Sequence, residues 1–301
     1  MAGIAVIMPV FNRATAALQA IDSVLRQDFA DFELIVVDDA STDGSADAVA
    51  AIGDPRLTLL RQTANAGANA ARNRGILAAR APLLAFLDSD DVYLPHKLGA
   101  LIRFFAARPE VDALLDSFEI RYPADSGRPA FRAINPTIDS SAEIERGIFT
   151  RRIFKATPAL SVRREAALRA GLFDETMRRR QDFDFVLRLC RSTARCVSTD
   201  QILWTKNWSA DAISAKQATF MDATLELCRR HPQYFAEPDF RPGLARDTAR
   251  HFVRLAATGG FAQSIRDAGR LRRAFGGAAF AGLMAQGFAE IARRGLKRAL
   301  R

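Results

Sequence analysis

"LLAFLDSDDVYLPHKL", residues 83–98, joins an apolar run to three carboxylates within four positions, Asp88, Asp90 and Asp91. The run has the pattern of a strand buried on both faces, because an apolar stretch without alternation needs cover on each side. At neutral pH the carboxylates repel one another unless water, hydrogen-bond donors or a cation compensates them. A buried strand ending in such a cluster marks a binding site. Asp91 alone has a simpler reading, as cap and favourable charge for the helix that "VYLPHKL" begins. That reading does not require three carboxylates.

Toward the N-terminus the same kind of strand recurs. Residues 4–10, 32–38 and 56–62 read as strands, and 13–27, 45–52 and 66–80 as helices, with Leu18, Ile21, Val24 and Leu25 on one helical face. Repeated βα units predict an α/β fold whose parallel sheet carries helices on both faces. In such sheets ligands bind beyond the carboxyl ends of the strands. Asp38, Asp39 and Asp43 follow the second strand and Asp88, Asp90 and Asp91 the fourth, so one site can collect both groups. After residue 108 the regularity fades. Residues 111–120 are strand-like, 181–190 helical, and the chain beyond about 210 is mostly helical, with no internal repeat.

Composition narrows the function. The chain has 301 residues, 49% apolar and 26% charged, which is the composition of a globular protein. Its net charge of +9 is uneven, since residues 241–301 hold 13 basic and 3 acidic residues while the rest is nearly balanced. Basic residues confined to the tail, without an RNA-type aromatic pattern, argue against a nucleic-acid partner. No basic segment followed by an apolar one opens the chain, so no secretion signal is expected. The longest uncharged stretch, residues 274–289, falls short of the roughly 20 residues of a spanning helix, and a cytoplasmic location follows. Cys190, Cys196 and Cys228 are odd in number and lack zinc spacing, as expected of reduced thiols.

"VIMPVFNR" (6–13), "ELIVVDDASTDGS" (33–45), "NAGANAARNRGI" (65–76) and "FLDSDDVYLPHKL" (86–98), in this order and each at a strand end, resemble the nucleotide-binding half of GT-A glycosyltransferases of the inverting family 2. The resemblance is strong over residues 3–100 and weaker to about 210. It implies a Rossmann-like, mostly parallel sheet flanked by helices, with a helical C-terminal extension. Residues 1–210 would form the catalytic domain, 1–100 its nucleotide-binding half and 101–210 its acceptor half, and 211–301 a basic helical extension.

The resemblance also implies roles. Asp39 would accept a hydrogen bond from the uracil or thymine ring, and Pro9 to Arg13, including Phe11, would line base and ribose. Asp38, Ser41 and Asp43 would shape the turn. Asp88-Ser89-Asp90 matches the DxD motif, in which one carboxylate meets the ribose and another holds Mn²⁺ or Mg²⁺ on the diphosphate. The extra Asp91 leaves the metal ligand open between Asp90 and Asp91, with Asp90 ranked first. Arg72 would neutralise phosphate charge, its alternative being an ordinary solvated helix residue. Where family members carry "ED" at a helix start, "AGLFDETMRRRQDFDFVLRL" (170–189) has Gln181-Asp182. Asp182 would then be the general base that activates an acceptor hydroxyl, and Asp184 a helix N-terminal charge.

The implied reaction moves a sugar from a nucleotide-diphosphate donor, UDP before dTDP, to a hydroxyl of a glycan or lipid-linked acceptor in surface polysaccharide biosynthesis. Two alternatives stand beside it: a haloacid-dehalogenase-type phosphatase, which also places DxD after a buried strand, and a non-catalytic sugar-nucleotide binder, because "QD" departs from "ED". Trp204 and Trp208 suit either sugar stacking or the core. In residues 284–301, Phe288, Ala292, Leu296 and Leu300 recur every four residues opposite Arg293, Arg294, Lys297, Arg298 and Arg301. Such a helix fits peripheral contact with anionic membrane or packing on the catalytic domain equally well.

Overall fold

A computed structural model describes residues 2–208 and 218–294. The chain opens with β1 (Ile4–Val10), α1 (Ala14–Leu25), β2 (Phe32–Asp38), α2 (Ser45–Ala50), β3 (Leu57–Arg61), α3 (Ala68–Ala78) and β4 (Leu83–Phe86). Every residue of β1 and β4 is buried, as the unalternating apolar runs require. β1 pairs in parallel with β2 on one side and β4 on the other, so that Ile7 stands opposite both Ile35 and Phe86.

The chain thus winds outward from β1 to β3 and then returns to β1's other flank. This reversal opens a crevice beyond the ends of β1 and β4, the place where such sheets bind ligands. It brings the segment after Val10 beside Asp88–Asp91. On one sheet face α3 lies close against β1; a Cβ on Gly75 would come 2.5 Å from Ile7 Cγ2, so the approach needs glycine. α1 buries Ala17, Ala20, Ile21 and Val24. Leu18, expected on that face, is 38% exposed, because the buried stripe starts one residue earlier, at Ala17.

The second half adds β5 (Val92–Tyr93), α4 (Lys97–Ala107), β6 (Ala113–Arg121), β7 (Phe131–Ala133), α5 (Ser141–Phe149), β8 (Leu160–Arg163), α6 (Arg164–Arg169), α7 (Gln181–Arg191) and β9 (Cys196–Asn207). The nine strands form one mixed sheet in the order β3-β2-β1-β4-β8-β6-β9-β5, with β7 on β6. β8 is antiparallel to both neighbours, β9 runs parallel to β6, and β5 pairs antiparallel with β9. Only residues 87–91 link β4 to β5, although three strands separate them in the sheet. The sheet therefore curls, and the Tyr93 hydroxyl donates across the curl to the Phe86 carbonyl at 2.5 Å.

The strands belong to one compact unit, residues 1–145 and 153–209; residues 146–152 and 210–301 make a second. The second contains α8 (Phe220–Arg230), α9 (Gln233–Ala236), α10 (Arg241–Ala257), α11 (Phe261–Phe275) and α12 (Gly277–Arg294). The Phe149 ring stands 5.1 Å from Tyr234 and 4.5 Å from Phe240. On α12 the buried stripe is Leu283, Gly287 and Ile291, with Ile291 against Ala249 of α10, whereas Phe288 is 45% exposed. Leu296, Leu300 and the basic residues from Lys297 on lie outside the described residues. Among the described residues no helix is long and apolar enough to cross a membrane. The three cysteines are buried and none is in a disulfide.

Candidate active site

The loops after β1 and β2 hold each other in place. Both turn through left-handed non-glycine residues, Asn12 (φ 49°) and Ala40 (φ 61°), a conformation that costs about 1–2 kcal/mol and persists only when its surroundings enforce it. The enforcing bonds run between the loops. Ser41 Oγ accepts from Asn12 N at 3.0 Å, Asn12 Oδ1 accepts from Thr42 N at 2.7 Å, Ser45 Oγ accepts from Arg13 N at 3.0 Å, and Asp43 accepts from Ala14 N at 3.2 Å. Asp38 accepts from Ser41 N at 3.2 Å and shapes the turn. Pro9 is buried at the end of β1, and Phe11 stands exposed beyond it.

Asp39 is buried and already well occupied. Its carboxylate accepts from Gln62 Nε2 at 2.5 Å and from the backbone N–H of Ala66 and Gly67 at 2.8 Å each. Gly67 has φ 93°, which only glycine adopts freely, and so aims its N–H at Asp39 from the start of α3. An ionised carboxylate has about four acceptor positions, so one stays available.

The three carboxylates after β4 each face a cation of the chain's own. Arg72 Nη2 meets Asp88 Oδ1 at 2.7 Å, Arg13 Nη1 lies 3.6 Å from Asp90, and Lys206 Nζ lies 3.7 Å from Asp91. Their environments differ. The Asp88 and Asp90 side chains are 27% and 24% exposed, whereas that of Asp91 is 0% exposed. Asp91 Oδ1 accepts from Asn207 N at 3.0 Å, and Asn207 Nδ2 donates to the Asp90 carbonyl at 2.9 Å, so the end of β9 grips the whole loop. Burial, and then the charge of Asp88, raises the Asp90 pKa. Burial raises that of Asp91 well above the usual aspartate range.

Asp182 stands in the first turn of α7, half-buried, with its carboxylate accepting from Phe183 N at 2.8 Å. Its charge reaches the same lysine. Burial works against the Lys206 ammonium, yet Asp91, Asp88, Asp90 and Asp182 together raise its pKa. Asp184 is buried and pairs with Arg188 at 2.8 Å.

Several polar residues here were not singled out from sequence. Lys206 is the next-to-last residue of β9, between Thr205 and Asn207, at the end of a strand whose polar middle hides it in the sequence. Asn69 and Asn73 lie one turn apart on the α3 face that also carries Arg72, and all three are buried. Lys97, inside the quoted stretch, is fully buried: Nζ lies 2.5 Å from Asp116 Oδ2 and donates to the Pro158 carbonyl at 3.0 Å. Trp204 Nε1 donates to Asp116 Oδ1 at 2.9 Å while its ring stacks on Phe118 at 4.4 Å, which makes Trp204 a core residue. Trp208 is partly exposed.

Among the described residues no three His, Cys, Asp or Glu side chains form a metal-holding group by themselves. The carboxylates fit a hard cation that takes one or two protein oxygens and the rest from a diphosphate and water.

The profile of glycosyl transferase family 2 matches residues 5–167, more than half of the chain. The chain belongs to glycosyl transferase family 2. The putative colanic acid biosynthesis glycosyl transferase WcaA of Escherichia coli is 31% identical to this family 2 protein over 193 residues, 62% of the chain and 65% of WcaA. The chain thus spans less than two thirds of that relative. Among solved structures, S. aureus TarS 1–349 in complex with UDP-GlcNAc superposes with a TM-score of 0.68 at 20% identity, over 98% of this chain and 92% of TarS. Mannosyltransferase PcManGT from Pyrobaculum calidifontis, in complex with GDP-Man and Mn²⁺, gives 0.57 at 20% identity, over 96% and 80%. At such identities the likeness shows the fold, which is GT-A.

Proposed function

We propose that this family 2 protein catalyses a metal-assisted, inverting transfer of a sugar from a UDP-sugar to a hydroxyl of a glycan or lipid-linked acceptor in surface polysaccharide biosynthesis. The observation that carries this reading is the convergence of Asp39, Asp88 and Asp90 with Arg13 and Arg72 at the crevice, with Asp182 near enough to act on the same Lys206 ammonium. The UDP-GlcNAc of TarS and the colanic acid of WcaA support the donor and the pathway class.

The roles follow from chemistry. Pro9, Phe11 and Arg13 line the base and ribose, and the remaining acceptor position of Asp39 suits the N3–H of a pyrimidine. Asp88 takes the ribose. Asp90 is the first ligand for Mn²⁺ or Mg²⁺, since Asp91 is enclosed and engaged by Asn207; bound there, the cation supplies positive charge for the departing diphosphate. Arg72 adds a fixed positive charge to the same end. Asp182 takes the proton of the acceptor hydroxyl as its oxygen attacks the anomeric carbon from the opposite face. One displacement without an enzyme nucleophile inverts that carbon.

Membership of family 2 removes the phosphatase reading. A contact of the tail with anionic membrane would bring the enzyme to a lipid-linked acceptor; the excess of basic residues in 241–301 supports it. The test is thermal shift with a panel of UDP-, dTDP- and GDP-sugars and Mn²⁺, followed by transfer assays with the donor that stabilises most. A UDP-sugar is expected to give the largest shift. Stabilisation by a donor without transfer to any acceptor would favour the non-catalytic binder.

A further inference from the structure

A buried helix face is ordinarily apolar, but α3 turns Asn69, Arg72 and Asn73 inward together, at the i, i+3, i+4 spacing of one face. The turn that the two asparagines bind lies about a hundred residues away in sequence. Asn69 Nδ2 donates to the carbonyls of Asp174 and Met177 at 2.7 Å each, and its Oδ1 accepts from Arg72 Nη1 at 3.1 Å. Asn73 Nδ2 donates to the Phe173 carbonyl at 2.8 Å and to Glu175 Oε1 at 2.9 Å, while its Oδ1 accepts from Phe173 N at 2.9 Å.

The Phe173 ring continues the link. It lies 5.4 Å from Phe86 at the end of β4 and 4.3 Å from Phe185 of α7, with the Arg72 guanidinium 5.5 Å from its centre. On the other side Arg188 of α7 donates to the carbonyls of Ala170 and Leu172. The segment is not held by local preference, because Leu172 (φ 61°) and Arg180 (φ 62°) are both left-handed non-glycine residues. It leads directly into Gln181 and Asp182.

We infer that Asn69 and Asn73 are positioning residues for the transfer: they pin the Phe173–Met177 turn to the helix that carries Arg72, and so set where Asp182 stands relative to the DxD carboxylates. This rests on the reading of Asp182 as the general base. The chain Asp88–Arg72–Asn69–turn–α7 ties the donor side of the site to the acceptor side through asparagines that are themselves buried.

The test uses the full chain with Asn73→Asp, which keeps the side chain's shape and its acceptor for Phe173 N, removes the donor to the Phe173 carbonyl and Glu175, and leaves the Asn69–Arg72 bond in place. The readouts are kcat, donor KM, UDP affinity by calorimetry in Mn²⁺, and a cycle with Asp182→Asn. A base misplaced by about 1 Å predicts a loss in kcat of about a hundredfold. UDP affinity is expected to stay within about threefold, and Asn73→Asp to cost Asp182→Asn less than about threefold more, since both act through one group. Asn73→Ser, which keeps one donor, is expected to lose about tenfold in kcat and serves if Asn73→Asp does not fold. An unchanged kcat in a folded variant, a parallel loss of UDP affinity, or a full further loss on top of Asp182→Asn would overturn the inference. Wild-type transfer by Asp182→Asn alone would instead remove the base, and the positioning role with it.

Discussion

Arg72 Nη2 lies 2.7 Å from Asp88 Oδ1, and the two partners are unequally buried, 4% exposed for the arginine and 27% for the carboxylate. The cation is the fixed member. Asn69 and the Phe173 ring orient the guanidinium from behind, so its charge points toward the crevice with little freedom. A lysine cannot reproduce this planar, multiply anchored arrangement. Arg72→Lys is expected to weaken UDP binding roughly tenfold, about 1.4 kcal/mol, in calorimetry with Mn²⁺. Unchanged affinity would mean that Arg72 serves the fold alone.

Asp90→Asn exchanges a partly exposed carboxylate for an amide of the same size, so the fold is expected to survive with its melting temperature nearly unchanged. The expected loss falls on metal. UDP affinity in Mn²⁺ should drop toward the value in chelator, where wild type and variant become alike. Equal Mn²⁺ dependence in the two proteins would sink Asp90 as the metal ligand.

Lys206→Met leaves Asp91, itself fully enclosed, without its cation. Removing one partner of a buried pair costs about 3–5 kcal/mol, and the partial exposure of the lysine puts the expected loss at the lower end or below. Denaturant unfolding measures it. Lys206→Met/Asp91→Asn is expected to regain most of the stability, because the amide needs no counter-charge. Equal stability of wild type and Lys206→Met would show that the pair contributes nothing.

Asp116, in its buried pair with Lys97, supplies a pH test. Burial pushes its carboxyl from 3.8 to about 6, against the pull of Lys97. The folded state therefore binds this proton more tightly than the unfolded chain. The contribution favours the fold fully below about pH 4 and fades as the pH rises through about 6. Relative to Asp116→Asn, which has no such proton and keeps an acceptor for Trp204, wild type is expected to gain stability between about pH 7 and about pH 5. A flat stability difference across that interval would contradict the raised carboxyl.

The first hundred residues were legible because their strands are continuous apolar runs and their polar residues sit where those runs stop. β1, β2 and β4 follow from such runs, and the crevice between β1 and β4 follows from their order. The rest was harder for a physical reason. β8 has four residues, and β9 passes through "STDQ" before regaining an apolar pattern, so neither carries the length or alternation that marks a strand. The antiparallel insertion of β8 between β4 and β6 is a tertiary fact with no local signal. The residues that support the site were hidden for a related reason. Lys97, Asn69 and Asn73 look like solvent-facing helix residues until partners far away in sequence enclose them.

The anomeric configuration of the transferred sugar, read by NMR on product formed from a UDP-sugar of known configuration, tests the central claim most directly. Direct attack by an acceptor activated by Asp182 yields a product whose anomeric carbon is inverted relative to the donor. A product that retains the donor's configuration would contradict the single displacement and the role of Asp182 as its base.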